Sequence, residues 1–460
     1  MRLLDLFAEN CRQHPETVFY SDAPVQGDYT FAYVDECAAK VYAALADRGI
    51  GAEDVVAVRL PRSGRIPIAL IGIMRAGAAF VVIGDRSTPE TADFILRDTA
   101  PKLVIDPAVY AQMMTGVPRE GYREPSDHDL AAIIYSSGSS GFFKGCMHEY
   151  GVYDGIVERT LSVNVGYASM LPDERCSLTL GFYSASAVFQ FCYSMISGEY
   201  LDIVPYAVME DAPALEQRVR EQRITEVTLA PKHIQSMDLA HIPSLRYVYS
   251  MYEMFSGTYL EKPVLVNCYG MTESAMALTY FGVDRPYDVT PVGKPYFDIT
   301  AKLVDDRGAE VKTGEIGELW YRSLYFRGYK NRPDLTAQVL QDGWYHTGDI
   351  GKFREDGVLV ILGRKIDVRR TPQGWVVPFE IALAAKKALG LTWAYVKLFG
   401  EKTVCLYYCD DVSLTTETVR EALREQLPAY ALPTHCMKIR KIPYFPSGKV
   451  DRTAFPEPEV

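Results

Sequence analysis

Tyr135-Ser136-Ser137-Gly138-Ser139-Ser140-Gly141-Phe142-Phe143-Lys144-Gly145, preceded by the apolar run Ala131-Ala132-Ile133-Ile134, is the stretch on which the reading of the chain turns. An apolar run that breaks into serine and glycine reads as a buried strand opening into a loop. The backbone N–H groups and hydroxyls of such a loop can wrap an anion, phosphate above all. The same composition also fits a flexible linker. It is not a P-loop, because the order G-x4-G-K-[ST] is missing.

Around that stretch the chain has 460 residues, 48% of them hydrophobic, so two or three packed units with an ordinary interior are expected. The net charge of −11 comes with no basic block, which argues against a nucleic-acid partner while allowing a small anion in a cleft. The N-terminus, MRLLDLFAENCRQ, has Asp5 and Glu9 where a signal peptide needs an apolar core. The longest apolar stretch, Ile66 to Gly84, is broken by Arg75 and small residues and reads as a buried helix and strand rather than a membrane span. A cytoplasmic protein with no membrane partner is therefore expected. Nine cysteines without a C-x-x-C pair or His clustering read as buried apolar thiols, Cys405 and Cys409 included.

Upstream of the loop, helical spacing is expected over Leu3 to Cys11 and Tyr29 to Leu45, the second capped by Thr30. Val55 to Val58 reads as a strand, Arg65 to Ala76 as a helix and Ala79 to Ile83 as a strand, an alternation that predicts parallel strands joined by helices. Downstream, Leu178 to Gly198 is dense in aromatics (Phe182, Tyr183, Phe189, Phe191, Tyr193), each of which could be simple core. Thr225 to Pro231 and Leu245 to Ser250 read as strands. Val264-Leu265-Val266 then leads into Asn267-Cys268-Tyr269-Gly270-Met271-Thr272-Glu273, where T-E alone would mean only a helix cap. In Trp344-Tyr345-His346-Thr347-Gly348-Asp349 the aspartate alone would read as a turn with a solvated carboxylate, and Lys449 in Ser447-Gly448-Lys449-Val450-Asp451-Arg452 as a surface lysine.

Taken together and in this order, these strings resemble the motifs of the adenylate-forming superfamily: acyl-CoA ligases, luciferases and the adenylation domains of nonribosomal peptide synthetases. The loop matches [YT]-[ST]-S-G-[ST]-[ST]-G-x-P-K-G except for Phe143 in place of proline, and Met74 to Val82 resembles a structural core motif. Gly314-Glu315-Ile316-Gly317-Glu318-Leu319-Trp320, Arg327-Gly328-Tyr329 and Leu427-Pro428-Ala429-Tyr430-Ala431-Leu432-Pro433 fit further motifs. Leu362-Gly363-Arg364-Lys365-Ile366-Asp367 resembles the G-R-x-D hinge, with Ile366 where Asp or Lys is usual and Asp367 one place late.

The resemblance implies an α/β fold: residues 1–363 as a large N-terminal adenylation core of packed α/β sheets with a small barrel-like section, and residues 364–460 as a small mobile α+β lid. It implies ATP and Mg²⁺ as cofactors. Ser136, Ser137, Gly138, Ser139, Ser140, Gly141 and Lys144 would hold phosphate, Tyr269 would stack on adenine beside Asn267 and Gly270, and Asp349 and Arg364 would reach the ribose. Thr272 would contact the α-phosphate, Glu273 would ligate the metal, and Lys449 would bridge substrate carboxylate and phosphate.

The substrate pocket implied comprises Tyr183, Ala185, Ser186, Phe189, Thr228, Tyr249, Met251, Cys268, Met276 and Ala277. Ala185 falls where amino-acid-activating domains carry an aspartate, and no carboxylate lies between Glu174 and Glu199. A buried ammonium without a counter-ion costs several kcal/mol, so an acid lacking an α-ammonium, aryl or otherwise small, is expected. Met251 and Tyr252 stand where the family usually has Gly-Gly, which narrows the site further. The G-K-V-D-R string favours the phosphopantetheine arm of a separate carrier protein as acceptor, with the chain expected to be free-standing. Met271 and Tyr183 lean towards coenzyme A. An amino-acid-activating enzyme and, from another class, a degenerate nucleotide-binding regulator are the remaining alternatives.

Overall fold

The apolar run before the loop lies within the strand Leu130–Ser136, whose first five residues are buried. This strand is one of six in a sheet of the computed structural model, which describes residues 2–136, 143–162, 174–251, 254–275, 277–296, 299–322, 326–443 and 450–458. The order across that sheet is Phe326–Tyr329, Lys144–Glu149, Leu130–Ser136, Ala79–Val82, Val55–Val58 and Leu103–Ile105. The last four strands run parallel, as the alternation of strand and helix predicts, while the first two are antiparallel additions. Val55, Ala57, Ala79, Val81 and Ile133 pack with Ile95 of the helix Pro89–Thr99 into one apolar cluster. Each such fully buried Val or Ile is worth about 1.5–3 kcal/mol relative to exposure.

Eight strands of a second, nine-stranded sheet follow in the order Ala277–Gly282, Val264–Gly270, Tyr247–Ser250, Glu226–Thr228, Arg175–Leu178, Tyr200–Ile203, Val18–Ser21 and Asp28–Thr30, parallel except for the pair at each end of this run. The first sheet and these eight strands belong to one compact unit made of residues 1–251, 260–282 and 323–343. Arg62 ties them: it is buried and donates to the carbonyls of Leu178, Leu180 and Val204 at 2.6, 2.6 and 2.7 Å. Three acceptors let a guanidinium be buried without an orphaned donor on each nitrogen.

The second unit comprises residues 252–259, 283–322 and 344–460. It holds an antiparallel set of Ala301–Val304, Gly317–Tyr321, Trp344–Phe353 and Leu359–Arg364. It also holds the hairpin of Arg369–Thr371 and Gly374–Val376, and a three-stranded sheet of Ala394–Phe399, Thr403–Tyr408 and His435–Lys438. The helices Pro378–Leu389 and Thr416–Leu423 cover that sheet through Ile381, Ala385, Val419 and Leu423, packed on Val396, Val404 and Leu406.

The early elements fall close to their expected bounds, Leu3–Gln13, Phe31–Ala46 and Arg65–Arg75. Thr30 caps the second helix by accepting from the Tyr33 N–H at 3.3 Å, but Tyr29 belongs to the strand before it. The strand expected over Thr225 to Pro231 is confined to Glu226–Thr228, because Pro231 opens a helix instead. All nine cysteines are free; Cys405 is core as expected, whereas Cys409, with Cys11 and Cys436, is only half-buried. No described helix is long and apolar enough to cross a membrane.

Candidate active site

The flanks of the Ser/Gly loop are the ends of a β-hairpin, in which Ser136 lies opposite Lys144. Ser137, Gly138, Ser139, Ser140 and Gly141 lie outside the described residues. Lys144 places its Nζ 5.2 Å from the ring centre of Tyr329, the end of the neighbouring strand, within cation–π range. The Tyr329 hydroxyl in turn donates to Glu273 Oε1 at 2.6 Å. Three sequence motifs far apart in the chain thus form one line of contacts, Lys144 to Tyr329 to Glu273.

Glu273 is held there by the strand that precedes it. Val264–Gly270 carries Asn267, Cys268, Tyr269 and Gly270 in sequence, and its last residues feed the short 3-10 turn Thr272–Ser274. The Ser274 hydroxyl closes the turn, accepting from the Met271 N–H at 3.2 Å and donating to the Met271 carbonyl at 2.8 Å. From the other side, His148 on Lys144–Glu149 approaches the Thr272 carbonyl with Nε2 at 2.7 Å. A carbonyl only accepts, so Nε2 carries the proton, and Nδ1 is left to accept from the Tyr153 hydroxyl at 3.3 Å. Burial pushes the His148 pKa down to about 4, so this imidazole is neutral at physiological pH.

The expected pocket residues that the structure describes fall on or beside one helix and four strands of the same unit. Ala185, Ser186 and Phe189 lie on the helix Ala185–Ser197, whose first turn is capped by the Ser184 hydroxyl accepting from the Ala187 N–H at 3.3 Å. Ala185 is buried, Ser186 and Phe189 are half-buried, and Tyr183, just before the helix, is exposed. A side chain at Gly84 or Gly181 would meet the Tyr183 ring at 2.7 or 2.2 Å, so glycine is needed at both places for this ring position.

Thr228 and Tyr249 face each other across adjacent parallel strands, and Ala277 pairs with Gly270. The Tyr249 ring meets Tyr280, the cross-strand partner of Cys268, edge-on at 6.5 Å. Met251 follows at the strand end, and Met276 lies outside the described residues. The structure brings to this group a residue that sequence order concealed. Glu226, two places before Thr228, accepts from the Tyr249 hydroxyl at 3.3 Å. Burial and the nearby Glu174 raise its pKa to about 7.

In the second unit, Asp349 and Arg364 are opposite each other in an antiparallel pair, with Arg364 Nη1 2.8 Å from Asp349 Oδ1. Asp349 is buried in the strand Trp344–Phe353 rather than solvated in a turn, and its N–H donates to Thr347 Oγ1 at 2.9 Å. Lys449 lies outside the described residues. At the expected hinge, Lys365 pairs with Glu318 at 2.8 Å, Ile366 is exposed, and Asp367 accepts from Arg452 of the G-K-V-D-R string.

Among these residues, His148 and Glu226 had no motif to announce them, while Tyr329 sat within a quoted motif without a role. The strand period of two, which sets Glu226 on the face of Thr228, was the one available signal.

The family profile of the AMP-binding enzymes matches residues 7–330. Tyrocidine synthase 2 of Brevibacillus parabrevis is 28% identical over 496 aligned residues, covering 99% of this chain and 13% of that synthase. Tyrocidine synthase 1 of the same organism is 27% identical, covering 91% of this chain and 41% of its own length. The chain therefore spans well under half of these curated relatives. Among solved structures, the anthranilate CoA ligase AuaEII in complex with anthranoyl-AMP superposes with a TM-score of 0.83 at 19% identity, covering 98% of this chain and 96% of that one. ATP-bound MatB from Rhodopseudomonas palustris does so at 0.83 and 21%, covering 98% of both. At these identities the superpositions establish the shared fold, and the profile match, over more than half of the chain, establishes that it belongs to the AMP-binding enzyme family.

Proposed function

We propose that the chain activates a small carboxylic acid without an α-ammonium group, most simply an aryl acid, as its acyl adenylate and then passes the acyl group to a thiol. The observation that carries this reading is the contact line Lys144–Tyr329–Glu273, which joins the hairpin end Ser136/Lys144 to the Thr272–Glu273 turn within one compact unit. A carboxylate is a poor electrophile, and activation requires its oxygen to attack the α-phosphorus of ATP while pyrophosphate leaves. That brings one anion onto another and needs neutralisation and alignment.

Lys144 and Lys449 would supply positive charge, and the loop N–H groups and the Thr272 hydroxyl would orient the phosphates. Glu273 fits a Mg²⁺ ligand, since its hydrogen-bond partner among the described residues is the neutral Tyr329 phenol, which leaves the carboxylate charge uncancelled. When bound, Mg²⁺ would offset phosphate charge. Tyr269, Asn267 and Gly270 would receive the adenine, and Asp349 and Arg364 the ribose. Lid motion of residues 364–460 would separate the two half-reactions.

The substrate class is supported by Ala185, Phe189, Tyr249 and Met251, which would make the site apolar and narrow. Tyr249 is anchored by Glu226, which would fix its ring as one wall of that site. As acceptor we favour the phosphopantetheine arm of a carrier protein, supported by the G-K-V-D-R string and by the peptide synthetases among the relatives. Free coenzyme A is the second reading, supported by Met271 and the exposed Tyr183.

ATP–pyrophosphate exchange with benzoates against phenylalanine and alanine tests the substrate class, and exchange is expected with the aryl acids alone. Robust exchange with a proteinogenic α-amino acid, and none with aryl or short alkyl acids, would overturn it. Supplying coenzyme A or a phosphopantetheinylated carrier to the activated complex then separates the acceptors.

A further inference from the structure

Beneath Tyr249 the second sheet buries a set of polar groups that the proposed reaction does not use. Cys176 and Glu226 are partners in adjacent parallel strands, and Glu199 immediately precedes the strand Tyr200–Ile203 that flanks Cys176 on the other side. The register therefore puts a thiol and two carboxyls side by side. Their ligand atoms all lie within 4.8 Å of one another, and all three residues are buried. The helix Ala185–Ser197 closes over them: Gln190 Nε2 donates to Cys176 Sγ, and the Ser194 hydroxyl donates to Glu199 Oε1 at 2.9 Å.

The polar groups of this cluster are incompletely satisfied. Glu199 Oε2, Gln190 Oε1 and the Tyr193 hydroxyl are buried with no hydrogen-bond partner in the structure. Tyr193 is 8% exposed, and its buried hydroxyl lies within electrostatic reach of Glu199, Glu226, Glu174 and Cys176. Buried polar atoms are nearly always paired, and here burial and the neighbouring Glu226 hold the Glu199 carboxyl well above the usual carboxylate range, so that it keeps a proton in a crowd of acceptors. A hydrogen-bond donor cannot serve them all at once, whereas a cation can.

We propose that Cys176, Glu199 and Glu226 form a structural site for a divalent cation of borderline softness, for which Zn²⁺ is the fit. One thiolate and two carboxylates are a mixed sulfur and oxygen set that suits Zn²⁺ better than Mg²⁺ or Ca²⁺, which take oxygen ligands alone. The fourth tetrahedral position falls to the Tyr193 or Gln190 oxygen. On binding, the protons held by the thiol and carboxyls pass to solvent. The site would clamp three parallel strands and one helix under the floor of the pocket, through Glu226 and Tyr249. It shares no residue with the Glu273 metal position, so either reading can fail while the other stands.

The test is a titration of the full chain, stripped with a strong chelator, with Co²⁺ followed by near-ultraviolet absorption. About one equivalent should produce a thiolate-to-cobalt band that Zn²⁺ abolishes by displacement. Cobalt at the all-oxygen Glu273 position gives no such band. Cys176→Ser should remove the band, and Glu199→Gln, which keeps the thiol, should weaken Co²⁺ binding by at least about tenfold. Failure of the unmodified chain to give a saturable band would overturn the proposal, whether or not the variants fold. So would a band that survives in Cys176→Ser.

Discussion

Glu273 in the first unit and Asp349 in the second, the two carboxylates on which the proposed reading rests, are held in opposite ways. Glu273 sits on a half-buried 3-10 turn with one oxygen on the Tyr329 hydroxyl at 2.6 Å, a neutral donor. Asp349 is buried in the middle of a strand and faces the Arg364 guanidinium at 2.8 Å. A carboxylate steadied by a phenol keeps its full charge available to a cation. One steadied by an arginine is neutralised, and its remaining lone pairs are suited to hydroxyl donors. On the proposed reading, a metal position and a ribose position would be distinguished by what stands behind each acid and not by the acid itself.

The largest effect that would break this comparison lies at Glu273. Glu273→Gln should lower kcat/KM for pyrophosphate exchange by at least about 10²-fold, the scale seen when a group stabilising transition-state charge is lost. Tyr329→Phe keeps the carboxylate and removes only its anchor. A hydrogen bond to a charged group is worth about 1.5–3 kcal/mol, so a loss of roughly tenfold to a hundredfold is expected, with a higher Mg²⁺ concentration needed for half-maximal activity. An unchanged Mg²⁺ requirement in Tyr329→Phe would show that the phenol does not position the ligand.

Asp349→Asn sharpens the other side. Volume is kept while one acceptor and the partner charge of Arg364 are lost, so the KM for ATP should rise by about tenfold with kcat less affected. A KM for ATP and a kcat both indistinguishable from those of the unmodified chain would remove Asp349 from the site.

Much of this was legible in the chain because motifs are local and carry their own order. Strand Leu130–Ser136, the parallel run through Val55–Val58 and Ala79–Val82, and the cap at Thr30 follow from period, burial and side-chain chemistry that neighbours in sequence share. The antiparallel strand Lys144–Glu149 was not legible, because KGCMHE has neither a clean alternation nor an apolar run. It is this strand that brings His148 to Thr272, across 124 positions of sequence. Glu226 escaped for a related reason. A search for carboxylates near Ala185 in sequence finds none, while parallel pairing sets Glu226 beside Cys176 and under Tyr249. Contacts made across a sheet by residues from different crossovers leave no trace in local pattern.

The remaining expected effect concerns pH and acts through His148. Its pKa is about 4 in the folded chain because burial disfavours the imidazolium, against about 6.5 when unfolded. Above pH 6.5 both states hold a neutral ring and nothing is lost. As pH falls from there, the unfolded or locally opened chain takes up a proton that the folded one refuses, so stability drops until pH reaches about 4 and then levels. Between pH 7 and pH 5 the loss amounts to about 2 kcal/mol, from 1.36 kcal/mol per pK unit over roughly 1.5 units. The opening in question frees the Thr272 carbonyl and with it the turn that carries Glu273. Hydrogen exchange of the segment 264–275, corrected for the intrinsic rate, should therefore accelerate at pH 5 relative to pH 7. His148→Gln retains an amide donor for that carbonyl but cannot titrate, and its exchange should lose most of this dependence. Equal acceleration in both proteins would place the acid sensitivity elsewhere and leave His148 as packing alone.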